Sequence, residues 1–169
     1  MSAATSLGLL FSFEKYFEEA AVTFLEAETG VEVYPSASQE ELITPRLDIQ
    51  FVALDAQLPV DAPITGGLTE YRKYNSSFEV AIVTDASVAT QTRTFHLELI
   101  GAVRAALLRT ASNWNATNLP WYGIKFIRQM NTDRQVDGDF QITTITYEIF
   151  FSIRSAAFPT TTTTTTAAP

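Results

Sequence analysis

His96 is the only histidine of the chain and lies among apolar neighbours in a segment of helical periodicity. An imidazole can serve as a general base, which requires a nucleophile or carboxylate within hydrogen-bonding reach. No motif around His96 declares such a partner, which favours a surface or boundary histidine. Asp133, Asp137 and Asp139 cluster in one polar stretch and could collect a hard cation. Their spacing does not match a calcium loop, which needs alternating acidic residues before its glycine and a distant glutamate, so turn chemistry is the favoured reading. Glu18-Glu19 and Glu40-Glu41 are adjacent pairs. Neighbours on a helix do not face each other, so neither pair makes an acid/base dyad, and both read as solvated surface. Gly66-Gly67 has no downstream Lys-Ser/Thr and is not a phosphate loop. The sequons at Asn75 and Asn115 carry meaning only on a secretory route. Trp114, Trp121 and Tyr122 surround one loop, where they either anchor a partner or close one end of the core; the two readings weigh evenly. No catalytic, cofactor-binding or metal-binding residue is assigned.

Composition narrows the classes further. A chain of 169 residues with 46% hydrophobic and 18% charged residues suits one folded domain. Eleven basic residues against 19 acidic ones leave a net charge of −8, which argues against a general nucleic-acid binder, because that affinity comes from Lys and Arg displacing counterions. The chain has no cysteine, hence no disulfide, thiolate metal site or cysteine nucleophile. The apolar run Leu7-Gly8-Leu9-Leu10-Phe11 has no basic segment before it and meets Glu14-Lys15 soon after, so it does not read as a secretory signal. No stretch approaches the roughly 20 apolar residues of a membrane span.

The elements follow from periodicity. Residues 7–29 predict a helix, with Leu7, Leu10, Phe11, Phe17, Ala21, Phe24 and Leu25 at three- and four-residue steps, Ser6 as N-cap and Gly30 just past the end. Residues 31–34 predict a short edge strand ending at Pro35, and residues 46–54 a clearer one with Leu47, Ile49 and Phe51 on one side. A loop over 55–69 contains Pro59, Pro63, Gly66 and Gly67. Residues 71–84 predict a strand with Phe78, Val80 and Ile82 sharing a face. Residues 92–110 predict a second helix along Phe95, Leu99, Ala102, Val103 and Ala106, its stripe widened by Leu97, Ile100, Leu107 and Leu108. Residues 111–120 read as a polar loop. Strands over 121–130 and 140–154 follow, joined by 131–139 as a loop with Asp137-Gly138 as its turn. In the last strand Ile145, Tyr147, Ile149, Phe151 and Ile153 share one face, with Thr144, Thr146, Glu148 and Ser152 mostly on the other. The expected fold is α+β: a single, largely antiparallel sheet of about five strands with two helices packed on it, in the order α-β-β-β-α-β-β. Residues 1–158 form one domain in this reading, and 159–169, with seven threonines, form a flexible tail.

This order, together with the size, the acidity, the lack of cysteine and the segments Arg46-Leu47-Asp48-Ile49-Gln50-Phe51 and Ile142-Thr143-Thr144-Ile145-Thr146-Tyr147-Glu148-Ile149-Phe150, resembles the tail terminator (tail-completion) proteins of long-tailed bacteriophages over residues 7–154. The resemblance implies a virion protein made in the host cytoplasm, without enzymatic activity or cofactor. It implies a homohexameric ring that caps the tail tube, meets the head-side connector or neck protein, and lets DNA pass through its lumen without specific binding. The 55–69 loop and the threonine-rich tail depart from a minimal member of that family and leave room for further neck contacts. Another neck, head-completion or connector subunit is the neighbouring alternative. A small hydrolase or ligand-binding α+β domain is the alternative of a different class, and a deep pocket with convergent polar groups would favour it.

Overall fold

The computed structural model describes residues 13–35, 43–53, 70–108 and 122–154. Its elements are α1 (Phe13–Thr29), β1 (Glu32–Pro35), β2 (Arg46–Ala53), β3 (Glu70–Asp85), α2 (Arg93–Leu108), β4 (Tyr122–Asp137) and β5 (Phe140–Arg154). The five strands form one sheet in the order β1-β2-β3-β5-β4. β1 runs parallel to β2, and the other three pairings are antiparallel. The fold is thus α+β in the order the periodicity implies. The expected loops over 55–69 and 111–120, the start of the first helix, Glu40-Glu41 and the threonine-rich tail lie outside the described residues.

One face of the sheet carries both helices. Alternation puts Leu47 and Ile49 of β2, Phe78, Val80 and Ile82 of β3, and Ile145, Tyr147, Ile149 and Phe151 of β5 on that face, all of them buried. Phe17, Ala21 and Leu25 of α1 and Leu99, Val103 and Ala106 of α2 complete the same core. α1 covers β1 and β2, α2 covers β3 and β4, and the helices also touch each other. The Phe17 ring meets Phe51 edge-on at 5.4 Å and Phe78 at 4.9 Å. Phe78 stacks in turn on Tyr147 at 5.3 Å. This aromatic row ties α1 to the three central strands, and such contacts add to the area that the rings bury. α1 stops at Gly30, whose φ of 68° is open to glycine without strain and whose N–H donates to the Glu26 carbonyl at 2.9 Å.

Three expectations change. The hairpin has no nine-residue loop, because β4 runs on to Asp137 and only Gly138 and Asp139 turn the chain, with Gly138 at φ 59°. Residues 131–137 read as a loop because this part of β4 is an exposed edge of the sheet; without a buried face, selection for alternation disappears. Two β-bulges, at Lys125 and Met130, also break the phase of β4. Leu97 and Leu108 do not widen the buried stripe of α2; they are 41% and 56% exposed. His96, expected at the surface or boundary, is buried, for it falls one turn before Leu99 and Ile100 on the inner stripe.

Phe151→Ala removes a buried ring from the central strand and is expected to cost roughly 3–5 kcal/mol in denaturant titration. Glu148→Ala, on the opposite side of the same strand, is expected to cost about 1 kcal/mol, for the hydrogen bonds it loses. A larger loss for Glu148→Ala would reverse the assigned facing.

Candidate interaction surface

The described residues offer three surfaces with functional chemistry: the sheet face away from the helices, the edge strand β4 with its hairpin end, and a cleft between that end and α2. On the open face the carboxylates are engaged across strands. Glu79 accepts from Thr146 at 3.1 Å and from Gln50 at 3.4 Å. Glu148 accepts from the Asn75 amide at 2.6 Å and pairs with Arg128. The Asn75 hydrogen bond first, and then Arg128, hold the Glu148 carboxyl below its usual range against the opposing effect of burial. Arg46 pairs with Asp48 and lies 4.2 Å from the Tyr34 ring centre. Beside this polar array, Phe126 and Phe150 stack at 5.4 Å with rings 9° apart, and Phe126 is 43% exposed.

β4 is the outer strand on its side of the sheet, and exposed apolar side chains mark its length. Met130, the extra residue of the second bulge, is 56% exposed, and Val136 near the hairpin turn is 77% exposed. Asp133, Asp137 and Asp139 are exposed around the same turn, with Asp133 accepting from Gln135 at 2.9 Å. Among the described residues, no group of three or more His, Asp or Glu side chains is placed to hold a metal ion. Glu18 is half-buried and Glu19 exposed on α1. Asn75 is an interior residue of β3, bonded to Glu148. Trp114 and Trp121, the side chain of Tyr122, Gly66-Gly67 and Asn115 lie outside the described residues.

The cleft, of about 430 Å³, lies between the hairpin end and the first turns of α2, and its lining includes Arg93, His96, Leu97, Arg134, Val136 and Asp139. Thr92 caps α2, its hydroxyl accepting from the Phe95 N–H at 3.3 Å. His96 bonds Thr84 Oγ1 through Nδ1 and Thr143 Oγ1 through Nε2, each at 2.8 Å. In the neutral ring one nitrogen donates and the other accepts, and the two hydroxyls rotate to match. Burial first, and then the Arg134 charge, lower the His96 pKa, so the neutral form is favoured. Both hydroxyls belong to buried threonines. The trio therefore pins α2 to the ends of β3 and β5 and presents no nucleophile to solvent. The phase of His96 with Leu99 and Val103 carries this role in the sequence; its threonine partners on two strands carry no local signal.

No protein-family model matches the chain, and no curated protein matches it. Solved structures do resemble it. A chain from the virion of a native gene transfer agent particle is 16% identical, with 81% of this chain and 90% of that chain covered and a TM-score of 0.49. A second solved chain is 15% identical, with coverage of 85% and 93% and a TM-score of 0.44. Among the described residues no helix is long and apolar enough to cross a membrane.

The burial of neutral His96 has a signed consequence. Its folded pKa lies below the unfolded value of about 6.5, so the unfolded chain binds more protons as the pH falls through that value. This contribution to stability is complete above about pH 6.5 and is lost as the pH falls toward the depressed folded pKa. Between pH 7.5 and 5 the Tm of the native chain is expected to fall more steeply than that of His96→Asn. Parallel slopes would show that His96 does not titrate differently on folding.

Proposed function

We propose that this chain is a structural subunit of a phage-like virion, and within it a tail terminator, forming a ring that caps the tail tube and presents the joining surface to the head connector. The observation that carries this reading is the outer half of β4. Residues 131–137 form the outer edge of the sheet beside the stretch of β5 that pairs on its other side with β3, are largely exposed, and hold Val136 out in solvent. A strand extension that buries little within its own subunit gains a physical reason when another subunit covers it. The element order, the acidic balance and the structural bonding of His96 support the same reading. An acidic lumen wall would let DNA slide past without arresting it.

The mechanism is the capping of a polymer. One ring face complements the last ring of the tube, and the other lacks the surface that each tube ring offers the next, so growth stops. A phage lacking this chain is therefore expected to assemble tubes of irregular, often excessive length beside separate DNA-filled heads. Electron microscopy of lysates from an amber mutant reads this directly. Tails of normal length beside heads that leak or fail to attach would move the assignment to a head-side connector or completion subunit.

A further inference from the structure

We infer that the threonine run of one copy, Thr160 to Thr166, adds as a strand to the outer edge of β4 in the next copy, along Asn131 to Asp137. The inference rests on the ring reading and says which main-chain contact would link its subunits.

β4 supplies the receiving edge. It is the last strand on its side of the sheet, so alternate residues turn their N–H and C=O groups away from β5. Among the described residues no strand lies beside that edge. The bulges at Lys125 and Met130 interrupt its inner part, whereas Asn131 to Asp137 pairs with β5 in unbroken register up to the turn. These seven residues are the longest regular template that the edge offers. All of them but Thr132 have exposed side chains.

The threonine run fits the edge in length and in chemistry. It has seven residues against the seven of the template. Threonine is β-branched and favours extended backbone. A homopolymer presents the same side chain in every register, so its pairing rests on main-chain hydrogen bonds, as in strand addition generally. The edge carries Asp133, Arg134 and Asp137, and such charges oppose a strand that brings like charges of its own; the run brings none.

Distance assigns the donor to another copy. β5 leaves the sheet at the Tyr122 end of β4, since Ile153 pairs with Tyr122, whereas Asn131 sits opposite Thr146. The strand from Thr146 to Arg154 is roughly 27 Å long, and crossing β4 to its outer side adds two strand spacings, roughly 10 Å at a right angle. To lay Thr160 beside Asn131 of its own copy, the chain beyond Arg154 must span roughly 29 Å, whereas the six residues from Arg154 to Thr160 reach at most about 22 Å. The reverse direction puts Thr160 beside Asp137, which is farther still. The full run therefore covers this stretch only in a second copy. Donor and edge are different patches, so the contact is heterologous, repeats from copy to copy, and closes a ring when the rotation per subunit divides the circle.

The test compares the purified full-length chain with a variant lacking residues 160–169 and with a synthetic peptide of residues 155–169. In sedimentation, the deletion is expected to weaken self-association at least about tenfold while the far-UV circular dichroism of the subunit stays unchanged. The labelled peptide is expected to bind the deletion variant in fluorescence anisotropy. The same peptide N-methylated at all seven threonines is expected not to bind, because it has no main-chain donors to offer the edge. Gln135→Pro and Val136→Pro separate the two sides of β4, since successive N–H groups point alternately toward β5 and away from it. The proline variant that keeps the native Tm is expected to lose peptide binding. A deletion variant that associates like the native chain, a native chain that stays monomeric at every concentration, a peptide that does not bind, or a methylated peptide or Tm-neutral proline variant that binds as the native pair does would each overturn the inference. Tube length in the amber lysate reports capping independently. Overlong tubes with a deletion variant that associates normally would retain the terminator and discard this contact; normal tubes with association that depends on the threonine run would do the converse.

Discussion

The contact of the Phe17 ring with Phe51 and Phe78 sets much of what else the molecule presents. It fixes α1 over β1 and β2, and through the stack of Phe78 on Tyr147 it ties that helix to the central strand β5. Because the ring is fully buried, α1 has one rotational setting that keeps Ala21 and Leu25 inside. That setting turns Glu19 outward and leaves Val22 and Glu18 at the groove beside Pro35. Tyr147 belongs to the same row, and burial raises the pKa of its hydroxyl, so it stays a neutral part of the core.

The two faces of the sheet follow different rules. The helix-bearing face is apolar and closed, whereas the other is polar and internally bonded, with Glu79 and Glu148 each held by donors from neighbouring strands. Satisfied carboxylates of this kind suit a face that meets water or a wet interface, since neither is left unpaired when a partner approaches. Of the exposed large apolar side chains among the described residues, Phe126, Met130 and Val136 lie on β4 and Leu97 beside its hairpin end, while Ile43, Val88 and Leu108 lie away from it. The β4 edge and the hairpin end thus carry the larger share of the exposed apolar side chains among the described residues.

The parts legible in the sequence are those with a buried face. The alternation of Ile145, Tyr147, Ile149 and Phe151, and the helical steps of Phe17, Ala21 and Leu25, predict both element type and facing, and each of these side chains is buried. The legibility ends where burial ends. The outer half of β4 reads as a loop because most of its side chains are exposed, and the bulges at Lys125 and Met130 displace the phase of what alternation remains. His96 was legible by phase but not by type, since a histidine becomes a core residue only when hydroxyls meet both nitrogens, and Thr84 and Thr143 come from strands distant in sequence. The exposed positions of Leu97 and Leu108 show the opposite error: apolar type does not decide burial at the margin of a stripe. The cleft was likewise invisible, because Arg93 and Arg134 are brought together only by the packing of α2 against the extended hairpin.

The central claim, that this chain terminates a tube by capping one end, is tested most directly by locating it on isolated tails. Antibody against the chain, conjugated to gold and viewed by electron microscopy, is predicted to mark each tail once, at the end that joins the head. Labelling distributed along the tube, or purified tails that carry none of the chain, would contradict the account.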